Sequence, residues 1–183
     1  MLIEQLSDLR EEDFRRLVTG YTSSEVYEIA VDETDSAFGL RFERRRRDPP
    51  FVKEWPFNPG MFGWYRSLLS LGLSFAVVED GQMRGLVISG TTEWSKLVNV
   101  WELHVEPARQ GQGLGRALLV AVEDAAAAKG YRAVSCETQN TNGPAIGFYR
   151  RVGYHPLAAD LSFYGNDDTA RGEVSVFMRK ALR

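Results

Sequence analysis

The sequence predicts an α/β (α+β) fold with a mixed, mostly antiparallel central sheet flanked by helices. Three β-type segments follow one another in the middle of the chain, and Asp80-Gly81 between the first two suits a type I′ hairpin turn. A glycine-rich turn at residues 110–115 follows the third segment and leads into a helical pattern. Antiparallel neighbours that lead into a turn and a helix are unlike a doubly wound parallel sheet.

Length and charge limit the possible functions. The chain of 183 residues has the length of one domain, and we expect a single domain over residues 1–183. A formal net charge of −3 argues against general nucleic-acid binding. Cys136, the one cysteine, cannot form an internal disulfide and is expected to be buried, and no segment resembles a membrane span or a signal peptide. We therefore expect a cytoplasmic protein with no nucleic-acid or membrane partner.

The first third of the chain predicts a strand, a helix and an extended segment in that order. Residues 2–6 are typical of a short strand, and Ser7 is expected to cap a helix that runs through Phe14, Leu17 and Val18. Apolar residues within 26–31 indicate an extended segment, and residues 32–36 are rich in turn formers.

Residues 44–47 are four consecutive arginines, and Pro49 and Pro50 are expected to end any regular element. The run is either a solvated edge or loop, an anion site, or a contact to an acidic partner. We favour the solvated surface, because four successive side chains cannot all point the same way.

An irregular loop and a short helix are expected next. Residues 51–63 mix aromatic residues with proline and glycine, which indicates an irregular segment. Trp64, Leu68 and Leu71 recur at helical spacing and predict a short helix whose aromatic residues belong to the core.

From residue 73 the pattern is that of a sheet. Residues 73–79 and 83–90 form the predicted hairpin, and residues 97–105 form the third strand. The helix after the glycine-rich turn is expected to end at Lys129-Gly130, and residues 131–137 then return as a strand.

The stretch Gln110-Gly111-Gln112-Gly113-Leu114-Gly115 predicts a site for a pyrophosphate. A helix that begins at a glycine-rich turn leaves backbone N–H groups converging in front of its positive dipole end. Glycine allows the close approach of a phosphate and the positive φ that such turns require. The alternative is a plain strand-to-helix turn, for which one glycine would suffice.

Two other phosphate-binding loops do not fit the residues present. A Walker loop ends in Gly-Lys-Ser/Thr, whereas this one ends in Gly115-Arg116-Ala117. A dinucleotide-binding fingerprint has the pattern Gly-x-Gly-x-x-Gly/Ala. If Gly111 and Gly113 are its first two glycines, the last position is Arg116, and if Gly113 and Gly115 are, it is Leu118.

The turn instead resembles the Gln/Arg-x-x-Gly-x-Gly/Ala signature of the GNAT superfamily of acetyl-CoA-dependent N-acetyltransferases, with Gln110, Gly113 and Gly115 at the signature positions. The fold predicted above is the GNAT arrangement. This resemblance implies acetyl-CoA as co-substrate and a GNAT fold.

A second signature follows after one helix and one strand. Residues 137–142 precede a helix that contains Ala145, Phe148 and Tyr149. The resemblance implies that Asn142 lies near the pantetheine arm, that Ala145 allows close approach, and that Tyr149 reaches the sulfur. Taken alone, Asn142 would be an N-cap and Tyr149 a core residue.

The sequence is most similar to the streptothricin acetyltransferases within this superfamily. The segments that carry this resemblance are 137–140, Pro144-Ala145, Phe148-Tyr149, 160–164, 173–178 and Trp94. It implies acetylation of an amine on the β-lysine moiety of an antibiotic, and hence antibiotic resistance. Where such enzymes tend to have an acidic pair before the end of the central strand, this chain has Trp101-Glu102, and the usual cysteine or lysine near Val152 is absent.

A base is needed because an alkyl amine is mostly protonated at neutral pH. Strand alternation places Val100, Glu102 and His104 on one face and Trp101, Leu103 and Val105 on the other. Glu102 is the first candidate base, although a solvated strand carboxylate explains it equally well. His104 is the second candidate, since histidine exchanges protons near neutral pH.

By resemblance, the backbone N–H of Leu103 would bind the oxyanion, the backbone of Val105 would pair with pantetheine, and Tyr149 would protonate the thiolate. The residues expected to bind acetyl-CoA are Leu103, Val105, Gln110, Gly111, Gln112, Gly113, Leu114, Gly115, Arg116, Asn142, Ala145 and Tyr149. We expect no metal, because the sequence has no Cys/His ligand cluster.

We therefore expect transfer of acetyl from acetyl-CoA to a primary amine of a small molecule, either a streptothricin-like antibiotic or a polyamine-type acceptor. The alternatives are a protein or peptide N-acetyltransferase and a CoA-binding module without turnover. The sequence leaves the acceptor, the acyl-chain length and the oligomeric state open, a homodimer included.

Overall fold

The computed structural model of the chain describes residues 2–182, within which nine strands and five helices follow one another. The strands are β1 (Leu2–Gln5), β2 (Gly20–Thr34), β3 (Ala37–Glu54), β4 (Phe75–Glu79), β5 (Gln82–Thr92), β6 (Leu97–Val105), β7 (Ala133–Gln139), β8 (His155–Asp160) and β9 (Ser175–Ala181). The helices are α1 (Glu11–Leu17), α2 (Pro59–Leu68), α3 (Leu114–Ala128), α4 (Gly143–Arg151) and α5 (Asp168–Arg171).

Seven strands form one sheet in the order β1-β4-β5-β6-β7-β9-β8, and β2 and β3 form a separate two-stranded sheet. The pairs β1/β4, β4/β5 and β5/β6 are antiparallel, and β6/β7 is parallel because α3 carries the chain back between them. This confirms the predicted α/β fold with a mixed, mostly antiparallel sheet flanked by helices.

Local signals in the middle of the chain were interpreted correctly. β4 and β5 are joined by Asp80 and Gly81 with φ values of 51° and 72°, as a type I′ turn requires. The third strand has the predicted bounds, and α3 ends just before Lys129 and Gly130, with φ 77° at the glycine.

The described chain divides into two compact units, and each is described by itself. Our expectation of a single domain over the whole chain stays a prediction. Within the described residues, the first unit comprises 2–19, 55–136 and 179–182, and the second comprises 20–54 and 137–178.

In the first unit, helices cover both faces of β5. α1 and α2 pack on one face over a buried cluster that includes Leu6, Leu9, Phe14, Leu17, Phe62, Tyr65, Leu86 and Ile88. α3 packs on the opposite face, where Gly85 allows close approach, since a Cβ there would lie 3.4 Å from Leu118 Cδ1. Leu86 and Ile88 therefore face α1 and α2, whereas Val87 faces α3.

The prediction that Ser7 caps the first helix was wrong. α1 begins at Glu11 with Arg10 in the N-cap position. Residues 6–10 form no regular element, Leu6 is buried with its N–H donating to the Ser74 carbonyl at 2.8 Å, and Arg10 is extended with φ −81° and ψ 140°. The guanidinium of Arg10 lies 2.6 Å from Asp13 in the first helical turn.

α2 begins at Pro59, within the segment predicted to be irregular. Asn58 caps it, accepting a hydrogen bond from a first-turn N–H at 3.0 Å, and proline suits the first helical position. Tyr65 is 4% exposed, but Trp64, which we expected in the core, is 42% exposed.

In the second unit, the buried side chain of Asn140 connects three segments. Its amide nitrogen donates to the carbonyls of Tyr27 at 2.7 Å and Gly172 at 3.1 Å, and its Oδ1 accepts from the Val174 N–H at 2.8 Å. Gly143 at the start of α4 lies so close to β2 that a Cβ there would meet the backbone of Glu25.

The expectation that Pro49 and Pro50 end a regular element was wrong, because β3 continues to Glu54. The ladder to β2 is nevertheless interrupted there. The register jumps between Arg46 and Phe51, so residues 47–50 have no partners in it. Two residues without a backbone N–H fit such an interruption.

The four arginines lie on the exposed part of β3. Arg44 lies 3.7 Å from Glu25, and Arg45 lies 3.4 Å from Glu28 and also binds Glu43. These pairs agree with the interpretation of the run as a solvated surface.

Candidate active site

The strand β6 has a bulge at Trp101. Val100 and Glu102 pair with consecutive residues of β5, which leaves Trp101 without a partner in this ladder. Since consecutive pairs face opposite sides of a sheet, Val100 and Glu102 lie on opposite faces. The prediction that Val100 shares a face with Glu102 and His104 was therefore wrong, whereas Glu102 and His104 do share one, on the α1/α2 side.

The Glu102 carboxylate contacts two polar side chains. The Tyr65 hydroxyl donates to Glu102 Oε1 at 2.7 Å, and His104 Nε2 lies 2.6 Å from Glu102 Oε2. The Trp55 ring meets the His104 ring edge-on at 5.4 Å between centroids. The Glu102 and His104 side chains are each 13% exposed, so the carboxylate is held at both oxygens and is still reached by water.

Sequence reasoning missed Tyr65 and Trp55. Both lie far along the chain from Glu102, and the helical pattern around Trp64 assigned aromatic residues of this segment to the core. The only signal was chemical, because a buried tyrosine hydroxyl requires a hydrogen-bond partner.

The bulge also turns Trp101 towards α2. Its ring lies 4.9 Å from that of Trp64, edge to face, and Trp101 is 47% exposed. Gly90 makes room for it, since a Cβ there would lie 2.9 Å from Trp101 Nε1. The prediction that Trp101 shares a face with Leu103 and Val105 was wrong for this reason.

One edge of β6 is open beyond Val100. The parallel ladder with β7 has four pairs and ends at Val100 and Cys136. Among the described residues, β6 has only β5 and β7 as neighbours in the sheet. The backbone that includes Leu103 and Val105 therefore has no strand partner on the side away from β5.

The glycine-rich turn presents open backbone to solvent. Gly111 and Gly113 have φ values of 75° and 87°, and a Cβ on either would have no atom within 4 Å. The first intrahelical donor of α3 in this turn is the Ala117 N–H, bound to the Gly113 carbonyl at 3.0 Å. The N–H groups of residues 114–116 come before it at the helix N-terminus, so the turn fits a phosphate-bearing group.

The two glutamine side chains of the turn bind nearby backbone carbonyls. Gln110 Nε2 donates to the Val105 carbonyl at 3.1 Å, which ties the turn to the end of β6. Gln112 Nε2 donates at 3.2 Å to a carbonyl of the preceding 3₁₀ turn. Leu114 is buried, and Arg116 is exposed.

The second signature lies at α4 in the second unit. Asn142 is the N-cap, its Oδ1 accepting from the Ala145 N–H at 3.2 Å, as the residue alone predicted. Tyr149 is 7% exposed, and its ring lies 5.4 Å from Phe148 and 5.5 Å from Tyr154.

Two further tyrosines of the second unit are protonated. Burial, together with the charge of Glu137 to which its hydroxyl donates, raises the pKa of Tyr164. Burial also raises the pKa of Tyr21, whose hydroxyl lies 2.6 Å from Thr141 Oγ1. Neither phenol ionises near neutral pH.

Cys136 is buried, as predicted. Across residues 2–182, no group of three or more His, Cys, Asp or Glu side chains is placed to hold a metal ion. None of the described helices is long and apolar enough to cross a membrane.

A central strand that runs into a glycine-rich turn and an open helix N-terminus, within a mostly antiparallel sheet, defines the class of acyl-CoA-dependent N-acyltransferases. The profile of the acetyltransferase (GNAT) family matches residues 24–154. The chain belongs to this family.

Relatives agree with this assignment. Streptothricin acetyltransferase of Streptomyces lavendulae is 29% identical over 167 residues, 86% of this chain and 82% of that protein. The crystal structure of a nourseothricin acetyltransferase matches with a TM-score of 0.71 and 27% identity, over 96% of both chains. A candidate streptothricin acetyltransferase of Bacillus anthracis, solved with acetyl coenzyme A, shares the fold at a TM-score of 0.73 and 15% identity, over 100% of this chain and 97% of that one.

The chain is thus an acetyl-CoA-dependent N-acetyltransferase, as the two signatures predicted. The individual site residues stay predictions.

Proposed function

We propose that the enzyme acetylates a primary amine of a small cationic molecule, a streptothricin-like antibiotic before a polyamine. The Glu102–His104 pair carries this proposal, because its 2.6 Å contact lies on the strand that leads directly into the glycine-rich turn. Relatives named for streptothricin and nourseothricin acetylation support the acceptor class.

Glu102 acts as the base, directly or through water. The acceptor must lose a proton before its nitrogen can attack a thioester. Tyr65 and His104 hold the two carboxylate oxygens, which fixes their direction without removing the group from water. His104 is the alternative base, since its ring nitrogen is in contact with the carboxylate.

Acetyl-CoA, when bound, supplies the thioester and the acetyl group. We assign its pyrophosphate to residues 110–116, supported by the open glycines and by the helix N-terminus. The Leu103 N–H would stabilise negative charge on the acetyl oxygen, and the Val105 backbone would pair with the pantetheine arm. The open edge of β6 supports both roles.

The residues of α4 complete the assignment. Asn142 and Ala145 would contact the pantetheine arm, and Tyr149 would protonate the departing thiolate. Because Asn142 Oδ1 caps the helix, its amide nitrogen is the group available to an acceptor on the co-substrate.

We also propose that residues 1–183 work as one catalytic domain in the cytoplasm. The family profile runs from residue 24 to residue 154 and so includes sequence from both units. A chain with one cysteine needs no oxidising compartment.

The test is release of CoA from acetyl-CoA with streptothricin, spermidine and an N-terminal alanine peptide as acceptors. We expect the highest kcat/KM with streptothricin. A higher kcat/KM with the peptide would favour a protein N-acetyltransferase, and no turnover with any amine would favour a CoA-binding module.

A further inference from the structure

The β2–β3 hairpin has two faces of different chemistry. From Glu25/Arg46 to Thr34/Ala37 it keeps one antiparallel register without interruption. Paired side chains share a face, and successive pairs alternate between the faces. We call one of them the ionic face, and its charged residues are Glu28, Asp32, Arg41, Glu43 and Arg45.

The ionic face satisfies its own charges. Arg41 donates to Glu43 at 2.7 Å and lies 3.9 Å from Asp32. Arg45 binds Glu43 and lies 3.4 Å from Glu28. Such a network of exposed ion pairs is typical of a surface in contact with solvent.

The other face, which we call the apolar face, is exposed towards the hairpin turn, whereas Tyr27, Ile29 and Phe42 nearer its base are half-buried. Its apolar side chains are Tyr27, Ile29, Val31, Phe38, Leu40 and Phe42. Phe38 is 90% exposed, Val31 49% and Leu40 42%. Alternating apolar and polar residues are typical of strands with one face buried, and a two-stranded ribbon alone is marginally stable. A contiguous apolar patch of this kind is typical of an interaction surface.

We infer that the apolar face binds the same face of a second copy of this chain. The charges that flank the patch select this partner. The charged residues of the apolar face are Glu25, Glu33, Arg44 and Arg46. At its base Glu25 of β2 lies opposite Arg46 of β3 and 3.7 Å from Arg44. A two-fold axis along the hairpin, between the two facing ribbons, places β2 of one copy over β3 of the other.

In this arrangement Glu25 of each copy meets Arg46 of the other, and apolar residues meet in the middle. A two-fold axis across the hairpin would instead place Glu33 over Glu25, two like charges. The orientation along the hairpin is therefore the one that pairs opposite charges at the base.

The area that this contact buries predicts a weak dimer. Six partly exposed apolar side chains bury on the order of 500 Å² per copy, or about 1,000 Å² in total. That is the lower end of specific interfaces, so dissociation in the micromolar range and a mass that depends on concentration are expected.

Sedimentation of the full chain over a concentration series tests the proposal. Val31→Asp places a charge in the centre of the patch and should raise the dimer dissociation constant at least ~100-fold. Ala37→Asp adds the same charge to the same hairpin on the ionic face and should leave it unchanged. Far-UV circular dichroism and CoA release show that both variants are folded.

Mixing two charge-reversed chains tests the contact between copies. Glu25→Arg and Arg46→Glu should each abolish self-association, because each copy then meets a like charge in the other. An equimolar mixture should restore the dimer, since every pair across its interface is again opposite, whereas the pair within each hairpin stays like-charged. A wild-type monomer throughout the series, an unchanged constant in Val31→Asp, or a mixture that does not associate would overturn the proposal.

Discussion

Replacing Gly113 by leucine should separate acetyl-CoA binding from the stability of the fold. Gly113 has φ 87°, and a Cβ there would meet no atom within 4 Å, so the substitution strains the backbone without a clash. A non-glycine residue in this left-handed backbone conformation lowers the free energy of unfolding by about 1–2 kcal/mol, or Tm by roughly 2–8 °C for a chain of this size.

The effect on binding should be larger than the effect on stability. The new side chain would occupy the open space in front of the α3 N-terminus, where we place the pyrophosphate. Loss of two hydrogen bonds from backbone N–H groups to a charged phosphate, at about 1.5–3 kcal/mol each, raises Kd at least ~100-fold.

The matched control is Gly130→Leu at the other end of the same helix. Gly130 has φ 77°, and a Cβ there also meets no atom within 4 Å. Calorimetric titration with acetyl-CoA and thermal unfolding should show equal losses of stability but a loss of affinity in Gly113→Leu alone. Wild-type affinity in Gly113→Leu, or an equal loss in Gly130→Leu, would refute the placement.

Three further predictions concern the chemistry. At limiting amine, the rate should rise with pH through the ionisation of the base. This ionisation should disappear in Glu102→Gln, while the affinity for acetyl-CoA stays unchanged. If the ionisation disappears only in His104→Ala, the base is His104. Tyr149→Phe should lower turnover roughly 10²-fold or more while cofactor affinity is kept, and wild-type turnover would mean that another group supplies the proton. Tyr65→Phe removes the hydroxyl that donates to Glu102 at 2.7 Å. The substitution should lower kcat/KM for the amine about 10-fold and leave KM for acetyl-CoA unchanged. An unchanged kcat/KM would show that Tyr65 does not position the carboxylate.

The elements that the sequence predicted well have local causes. Asp80-Gly81 determines a turn through the φ values of two residues, and Lys129-Gly130 ends a helix in the same way. The glycine-rich turn and the strand before it also depend on neighbours in sequence only. Propensity and periodicity are sufficient for such features.

Contacts between distant segments could not be predicted in this way. The Tyr65 hydroxyl reaches Glu102 from 37 positions away, and Asn140 binds Tyr27 from 113 positions away. A periodicity pattern is read over a short window of sequence, and no such window contains both residues of these hydrogen bonds. Apolar residues within 26–31 indicated an extended segment, but its register could not be predicted, because that depends on which residue of β3 lies opposite.

The bulge at Trp101 accounts for the wrong face of Val100 and for the position of the candidate base together. One extra residue in β6 reverses the facing of every residue on one side of it, so alternation counted from Val105 holds as far as Glu102 and fails at Val100. The ladder with β7 ends at the same point, so the residues beyond the bulge have an open edge. A single inserted residue thus places Glu102 on the face of Tyr65, beside the open edge that exposes the Leu103 backbone, and bulges next to functional sites are treated as part of the site for this reason.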